Sequence, residues 1–538
     1  KKNFLLPGDK AAKVFGGFIL WQLVTFLWSA SLHLSLRAWA LQLAFFFFYC
    51  IVVTNIRSTR LRLFLLFCPV LAASLVSALA LLQYYELDVH ILPHLRVRGL
   101  FNMGVLIMLK RAETNVKIYS FLGHRNYVAG YLMACVPLLV TLFIVWFQRF
   151  VTEKRTLGKV LLLLFLAITK IMTLATIVLT HTRGSWVGLA AGLFVYLLCV
   201  CKALGRKEVR NLFFVIFVLI VIFMALVALF PKANRMKQST VSRLRSTLNL
   251  RSGSVNERRL LLKTAWRMIT SDWKIFFFGK GMGTYPIHHV PFQSKIIHED
   301  GGKQFWPVVN KTWWVHNEVL NFWAETGLVG LLFIALFLYH LFGPPLRELC
   351  QSERPLFEVL LLVGGISSLV AILVHNLFTF SLHLPSSGLL FYGLAALLVG
   401  SLQEPVSRPV PGPARHLLLL VGILAALMVM NLLFSAMRAQ MLWQRAFTVA
   451  TDGDQLKAIQ LVQKAIRLDP GNLDLVFDYG RLLQDSGRWE ESRKVYFSIK
   501  DIFIDASIEQ NIANTYRAQG KMKKAFEHYE KALHHSPA

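Results

Sequence analysis

What most constrains this chain is a succession of apolar runs, each long enough to cross a lipid bilayer. A hydrocarbon core roughly 30 Å thick needs about 20 apolar residues in helical form. Runs of that kind recur near 14–33, 38–56, 63–82, 127–147, 159–180, 185–203, 211–230, 318–342, 357–380, 386–403 and 416–435. About eleven spans are therefore predicted. The bilayer core offers backbone groups no water, so such spans close their hydrogen bonds internally as helices. The expected fold class is an all-α, polytopic transmembrane helical bundle. Composition agrees: 55% hydrophobic against 16% charged residues over 538 positions excludes an ordinary soluble globule. The first run reads as a permanent span, not a cleavable leader.

Orientation follows from the short basic loops, which are retained on the cytoplasmic side. Arg57, Arg60 and Arg62 form one, Arg149, Lys154, Arg155 and Lys159 a second, and Lys202, Arg206, Lys207 and Arg210 a third. With these inside, 83–126, 181–184, a long loop at 231–317, the turn at 381–385 and everything after about 436 fall outside. Cys50, Cys68, Cys135, Cys199, Cys201 and Cys350 all lie in spans or on the inner side. The outer loops thus offer no thiols for disulfides.

The formal charge of +29 exceeds what orientation requires. Between Pro231 and Lys311 there are 15 Lys or Arg against four Asp or Glu, on the side where no such excess is expected. Nucleic acid is the usual partner of a basic surface. A basic loop beside a bilayer more economically takes phosphate or pyrophosphate groups on lipids, and nonspecific attraction to anionic headgroups is the plainer alternative.

After Ala436 the sequence turns to charged, amphipathic helix that repeats itself. "DYGRLLQDSGRWEESRKVYFSI" (478–499) aligns with "NIANTYRAQGKMKKAFEHYEKAL" (511–533), so that Gly480 meets Ala513 and Gly487 meets Gly520 at a step of 33 residues. Ala465, Ser498 and Ala532 continue the register. Small residues recurring where two helices touch resemble tetratricopeptide repeats over 455–538, whose concave face usually binds a protein partner. The plainer reading is a tail that docks on its own membrane domain. The division expected is a membrane domain 1–435, a linker 436–454 and repeats 455–538.

Charged residues at membrane depth cost roughly 2.5–3.5 kcal/mol each on insertion scales, so each needs a cavity, a partner or a function. "SFLGHRNYVAGYL" (120–132) places His124, Arg125 and Asn126 at the outer end of the fourth run. "THTRGSWVGLAAGL" (180–193) places His181 and Arg183 in a connection too short to leave the outer interface. Guanidinium forks suit pyrophosphate oxygens through bidentate, charge-assisted hydrogen bonds, whereas a single arginine at such a depth can simply snorkel. Lys170, mid-way along the fifth run, requires a cavity or an acid.

Two further segments lie outside. In 256–290, Arg259, Lys263, Trp266 and Arg267 recur at helical spacing and share a face, and Gly279, Gly281 and Gly283 form a tight turn. With no strand before it and no evident helix after it, this GxGxG is not a nucleotide fingerprint. His288, His289 and His298 lack an accompanying set of acids or thiols at metal-ligand spacing, so no metal is expected. In "TWWVHNEVLNFWAETGLVG" (312–330), His316 stands beside Asn317 and Glu318 at the mouth of an apolar run. An imidazole of ordinary pKa near 6.5 can accept a proton there, although an interfacial histidine with no chemical role fits the same position.

"GHRNYVAGYL", "THTRGSWVGL", "NERRLLLKTAW" with "FFFGKGMGTYP", "WWVHNEVLNFWAETGLVGLL" and "HNLFTFSLHLPSSGLLFYGL" together resemble the O-antigen ligase and Wzy-type polymerase superfamily, in the branch with C-terminal tetratricopeptide repeats. The resemblance covers most of 120–400; residues 1–119 match only as apolar spans. It implies a GT-C-like membrane glycosyltransferase without metal or cofactor, moving a glycan from undecaprenyl pyrophosphate to an acceptor hydroxyl outside the bacterial inner membrane. The acceptor is a glycolipid for a ligase, the growing polysaccharide for a polymerase, or a protein for an O-oligosaccharyltransferase. The resemblance places the acceptor's base on His316 and pyrophosphate binding on Arg183, Arg125 and Arg259; Arg267, Asn126 and Glu318 complete the expected substrate-binding set. Two positions depart from the family: Thr379 stands where an acid is usual, and "GHRN" differs from the commoner GNPN-like form. From a different class, a lipid or polysaccharide transporter would also use such a cavity, but it should show an internal repeat of its membrane half, which this sequence lacks.

Overall fold

The computed structural model describes residues 5–56, 58–85, 87–95, 103–111, 118–203, 253–309, 312–351, 355–402, 408–409, 412–502 and 505–536. The chain divides into two compact units. One is Lys1–Phe47 with Asn249–Leu338 and Ser407–Ala538, and the other Phe48–Leu248 with Tyr339–Val406.

Among the described residues nine helices are long and apolar enough to cross a membrane: Lys10–Trp28, Leu32–Asn55, Thr59–Tyr84, Arg125–Thr152, Leu157–Leu179, Arg183–Ala203, Glu318–Leu349, Leu356–His375 and Gly422–Thr451. The run at 386–403 is the shorter helix Pro385–Gly400, and that at 211–230 lies outside the described residues. The run at 357–380 is helical only to His375, after which Asn376 caps it through a bond to the Ile372 carbonyl. The spans and the repeats are all helical, as expected, and two short strand pairings accompany them. Within an expected outer loop, Leu87–Leu95 pairs antiparallel with Met103–Arg111, and Leu5–Leu6 pairs with Arg408–Pro409. Leu87–Leu95 and Met103–Arg111 have nine residues each, too few to span as a helix, and pairing satisfies their backbone instead.

In the first unit, Asp9 caps the opening helix by accepting from the Ala12 amide at 2.7 Å. Trp21 donates to the Thr326 carbonyl at 2.9 Å, tying this helix to the Glu318–Gln351 helix, which kinks at Gly327. The last apolar run does not stop at 435. Its helix, Gly412–Thr451, continues through most of the expected linker and pairs with Gln455–Leu468 as the first repeat hairpin. Two more follow, Leu473–Asp485 with Trp489–Ile499 and Ala506–Ala518 with Met522–His535. The same turn closes all three. Gly453, Gly487 and Gly520 have positive φ, and the next residue bonds back to a carbonyl five positions earlier: Asp454 to Val449, Arg488 to Leu483 and Lys521 to Tyr516.

The repeats dock within this unit. Asp469, buried, accepts from Arg37 at 3.0 Å and lies 2.7 Å from His33 Nε2. Ser35 bonds the Met282 carbonyl and Ser294 the His534 carbonyl, and the His298 and His534 rings stack. The connection between the first two helices, residues 282–298 and the repeats therefore meet within this unit.

The second unit packs around Arg125–Thr152, most of which is buried. At one end Arg62 donates to the Gly400 carbonyl, and Arg149 lies over Trp146 and Phe357. Lys170, 2% exposed, places its amine 4.0 Å from the centre of the Phe143 ring. A ring face, not an acid, is the neighbour the structure shows.

Burial raises the Asp469 pKa, but the His33 hydrogen bond, Arg37 and Asn472 outweigh it and hold the carboxyl below its ordinary value. The clamp therefore stabilises docking at neutral pH and is lost as acidification passes below about pH 4. Asp469→Ala should weaken docking by on the order of 1–3 kcal/mol, read as faster amide exchange around 469–476 at pH 7, with the difference from the parent vanishing in acid.

Candidate functional site

Each unit carries one cluster of the residues singled out above. In the second unit the chain passes through the turn Ser120–Leu122 and Gly123, in left-handed conformation, to His124, whose Nδ1 accepts from the Asn126 amide at 3.2 Å and starts a helix at Arg125. The second turn reverses at His181, also left-handed with φ 52°, and opens a helix at Arg183. Thr182 Oγ1 donates to Asn126 Oδ1 at 3.2 Å. Two helix N-termini thus stand side by side, each with arginine as its first residue.

Helix N-termini concentrate partial positive charge and unsatisfied N–H groups, and a basic residue there opposes the dipole. Two such ends, each opening on an arginine, bring two helix dipoles and two basic residues to one place. The segment after His375 closes on the same end. Asn376 Oδ1 accepts from the Ser381 amide, Thr379 bonds Ser381, and Phe380 packs edge-on to Tyr127. Thr379, in place of the family's acid, is buried and helps hold this turn.

In the first unit the second cluster is built on glycine. Trp273–Phe278 leads into Gly279, Gly281 and Gly283, all at positive φ, and the helix Tyr285–His298 follows, so a helix does open from the GxGxG turn. Lys280 and Gly281 donate to the carbonyls of Ala324 and Glu325, both at 2.9 Å. A Cβ on Gly279 would stand 2.3 Å from the Glu325 carbonyl, and one on Gly327 2.2 Å from that of Phe277. The other side of the turn rests on Ser29 and on Ser35, which bonds Met282. The turn is a backbone-to-backbone dock, not a phosphate cradle.

This dock positions His316. Trp323 donates to the Phe276 carbonyl and meets the rings of Trp266 and Phe276. Asn317 caps the Glu318 helix through the Leu320 amide, while Asn321 holds the Val315 amide. Between these caps His316, half-buried, is forced to φ 58°. A non-glycine residue costs on the order of 1–3 kcal/mol in such a conformation, and strain of this kind concentrates at functional sites. Only Ser120, His181 and His316 show it among the described non-glycine residues.

Arg125, Asn126 and Arg183 come together in one unit; His316, Glu318, Arg259 and Arg267 belong to the other. Glu318 is buried at the first position of its helix. Arg259 is exposed on Gly253–Ile269, whereas Arg267 is paired with Glu299 and so already engaged. The three loop histidines diverge. His289 stacks on Tyr285, His298 on His534, and burial aided by the Lys280 charge pushes His288 down to about 4, leaving it neutral at physiological pH. Among the described residues no group of three or more His, Cys, Asp or Glu is arranged to hold a metal.

Residues 168–335 match the family model for O-antigen ligase. The chain carries an O-antigen ligase domain. Residues 451–503 match a tetratricopeptide repeat, and no curated protein matches the chain. The ligase domain takes in Arg183, the long loop, His316 and Gly327; Arg125 precedes it and His375 follows it. Glycan transfer of the O-antigen ligase or polymerase type, with lipid-linked glycan substrates, is the activity that the ligase domain implies. The sequence reading missed the glycines Gly184, Gly188 and Gly192. Their four-residue spacing is the signal of a close helix contact, and Cβ atoms there would meet Phe378, Ala371 and Ser367 of the Leu356–His375 helix and its turn.

Gly279→Ala should undock the ligase-domain loop at a cost on the order of 3 kcal/mol, since both its positive φ and the carbonyl contact forbid a side chain. The expected result is faster amide exchange at 312–321 with the repeat helices unchanged.

Proposed function

We propose that this protein transfers a glycan from undecaprenyl pyrophosphate to an acceptor hydroxyl at the outer face of the bacterial inner membrane. The observation that carries the reading is the paired helix N-termini, joined by Thr182 and Asn126, that open on Arg125 and Arg183. A doubly cationic, dipole-reinforced site suits a pyrophosphate, in which negative charge grows as the sugar departs.

In the proposed reaction His316 takes the proton of the acceptor hydroxyl. The oxygen attacks the anomeric carbon, a new C–O bond forms, and the bond to pyrophosphate breaks with its electron pair going to the leaving group. Arg183 and Arg125 stabilise that charge, and a single displacement inverts the anomeric configuration. The leaving group is already good, so orientation, cationic stabilisation and one base suffice without a metal. Arg259 is a further contact to the donor, and Arg267 on the same helix, paired with Glu299, a second one. The repeats, continuous with the last span, offer a surface for a protein partner.

His316→Ala should lower transfer by about 10²–10⁴-fold, the usual worth of a positioned base, while lipid-linked donor accumulates in the envelope. Full transfer by a folded His316→Ala protein would remove the base assignment. Arg183→Ala should weaken binding of undecaprenyl pyrophosphate about 10–100-fold, as expected for losing charge-assisted hydrogen bonds. Unchanged donor affinity would remove the pyrophosphate site.

A further inference from the structure

We propose that His375 is a positioning residue for the arginine pair, a wedge that sets the distance between the two helices opening on Arg125 and Arg183. The inference rests on the reading of that pair as the pyrophosphate site. His375 lies beyond the matched ligase domain, at the end of the helix Leu356–His375, and is 0% exposed. That helix packs along both arginine-bearing helices.

The contacts are specific to the ring's two edges. A Cβ on Gly130, five residues after Arg125, would stand 2.7 Å from His375 Nε2. A Cβ on Gly184, next to Arg183, would stand 3.4 Å from Nδ1. Behind the ring, one on Gly188 would stand 3.1 Å from the His375 Cβ and 2.8 Å from the Ala371 carbonyl. Each nitrogen therefore faces the start of one arginine-bearing helix, and glycine at both places lets the ring touch backbone. The backbone that carries the ring is fixed: the Phe378 amide donates to the His375 carbonyl at 2.9 Å, and Asn376, Thr379 and Ser381 lock the following turn.

A purely space-filling role would be met by an apolar side chain of similar size, which avoids placing a polar ring at membrane depth. The two nitrogen edges lie against those two helices, so an apolar replacement changes the surface that both helices touch. Arg125 and Arg183 must present their guanidinium groups to one pyrophosphate within a few tenths of an ångström, so the gap between their helices decides how well both bind.

The test uses the full chain in nanodiscs, with undecaprenyl pyrophosphate as the probe and thermal unfolding measured alongside. His375→Leu, which keeps bulk and loses the nitrogens, should weaken donor affinity about tenfold at an unchanged midpoint, and His375→Gln should recover most of it. Gly130→Ala, which drives a methyl into the ring, should cost about tenfold in the native background and under about twofold once His375→Ala has removed the ring. If His375→Leu does not fold, the Gly130→Ala cycle decides alone. Unchanged affinity in both His375→Leu and Gly130→Ala, with Arg183→Ala defective, overturns the positioning role and leaves the proposed function standing. Unchanged affinity in Arg183→Ala overturns both.

Discussion

The structure depends on places where backbone meets backbone or ring without an intervening side chain. In a bilayer the hydrophobic effect does not drive helices together, so close approach at small residues has to supply the contact. In one unit Gly279 and Gly327 let the long loop hydrogen-bond into a kink of the Glu318 helix. In the other, Gly130, Gly184, Gly188 and Gly192 bring two spans against the helix that ends at His375. Both candidate clusters are placed by these contacts, and His316 is held in its left-handed turn by caps that the first dock supports.

Charge is arranged against local preference in the same regions. Arginine at the first position of a helix opposes the dipole, yet Arg125 and Arg183 both stand there, and Asn126 and Thr182 join their turns. An anion bound between these two helix starts is what the proposed function adds to this arrangement. Several other basic residues rest on structural partners of their own. Arg149 lies on aromatic rings, Arg62 caps a helix end, Lys170 rests over Phe143, and Arg267 is paired with Glu299.

The repeats are an extension of the membrane domain more than an appendage. Their first helix is the end of the last span, and the Asp469 clamp, the Ser35 bond to Met282 and the Ser294 bond to His534 gather tail, residues 282–298 and first connection within one unit. A partner bound by the repeats would therefore act on elements already in contact with the loop that carries His316.

The sequence by itself determined the membrane class, most of the spans and the repeats, because apolar run length and a 33-residue step are local or periodic properties. It could not decide which of those segments meet. Gly279 and Gly327 are 48 positions apart in the chain, and their contact exists only because two positive-φ residues happen to face each other after folding. The same holds for His375, whose contacts with the helices of Gly130 and Gly184 no local pattern announces. Helix limits also escaped the sequence where polarity and structure part company. The Gly412–Thr451 helix runs past its apolar stretch because packing against Gln455–Leu468 stabilises it, and Leu87–Leu95 with Met103–Arg111 pairs as strands because neither arm is long enough to span alone.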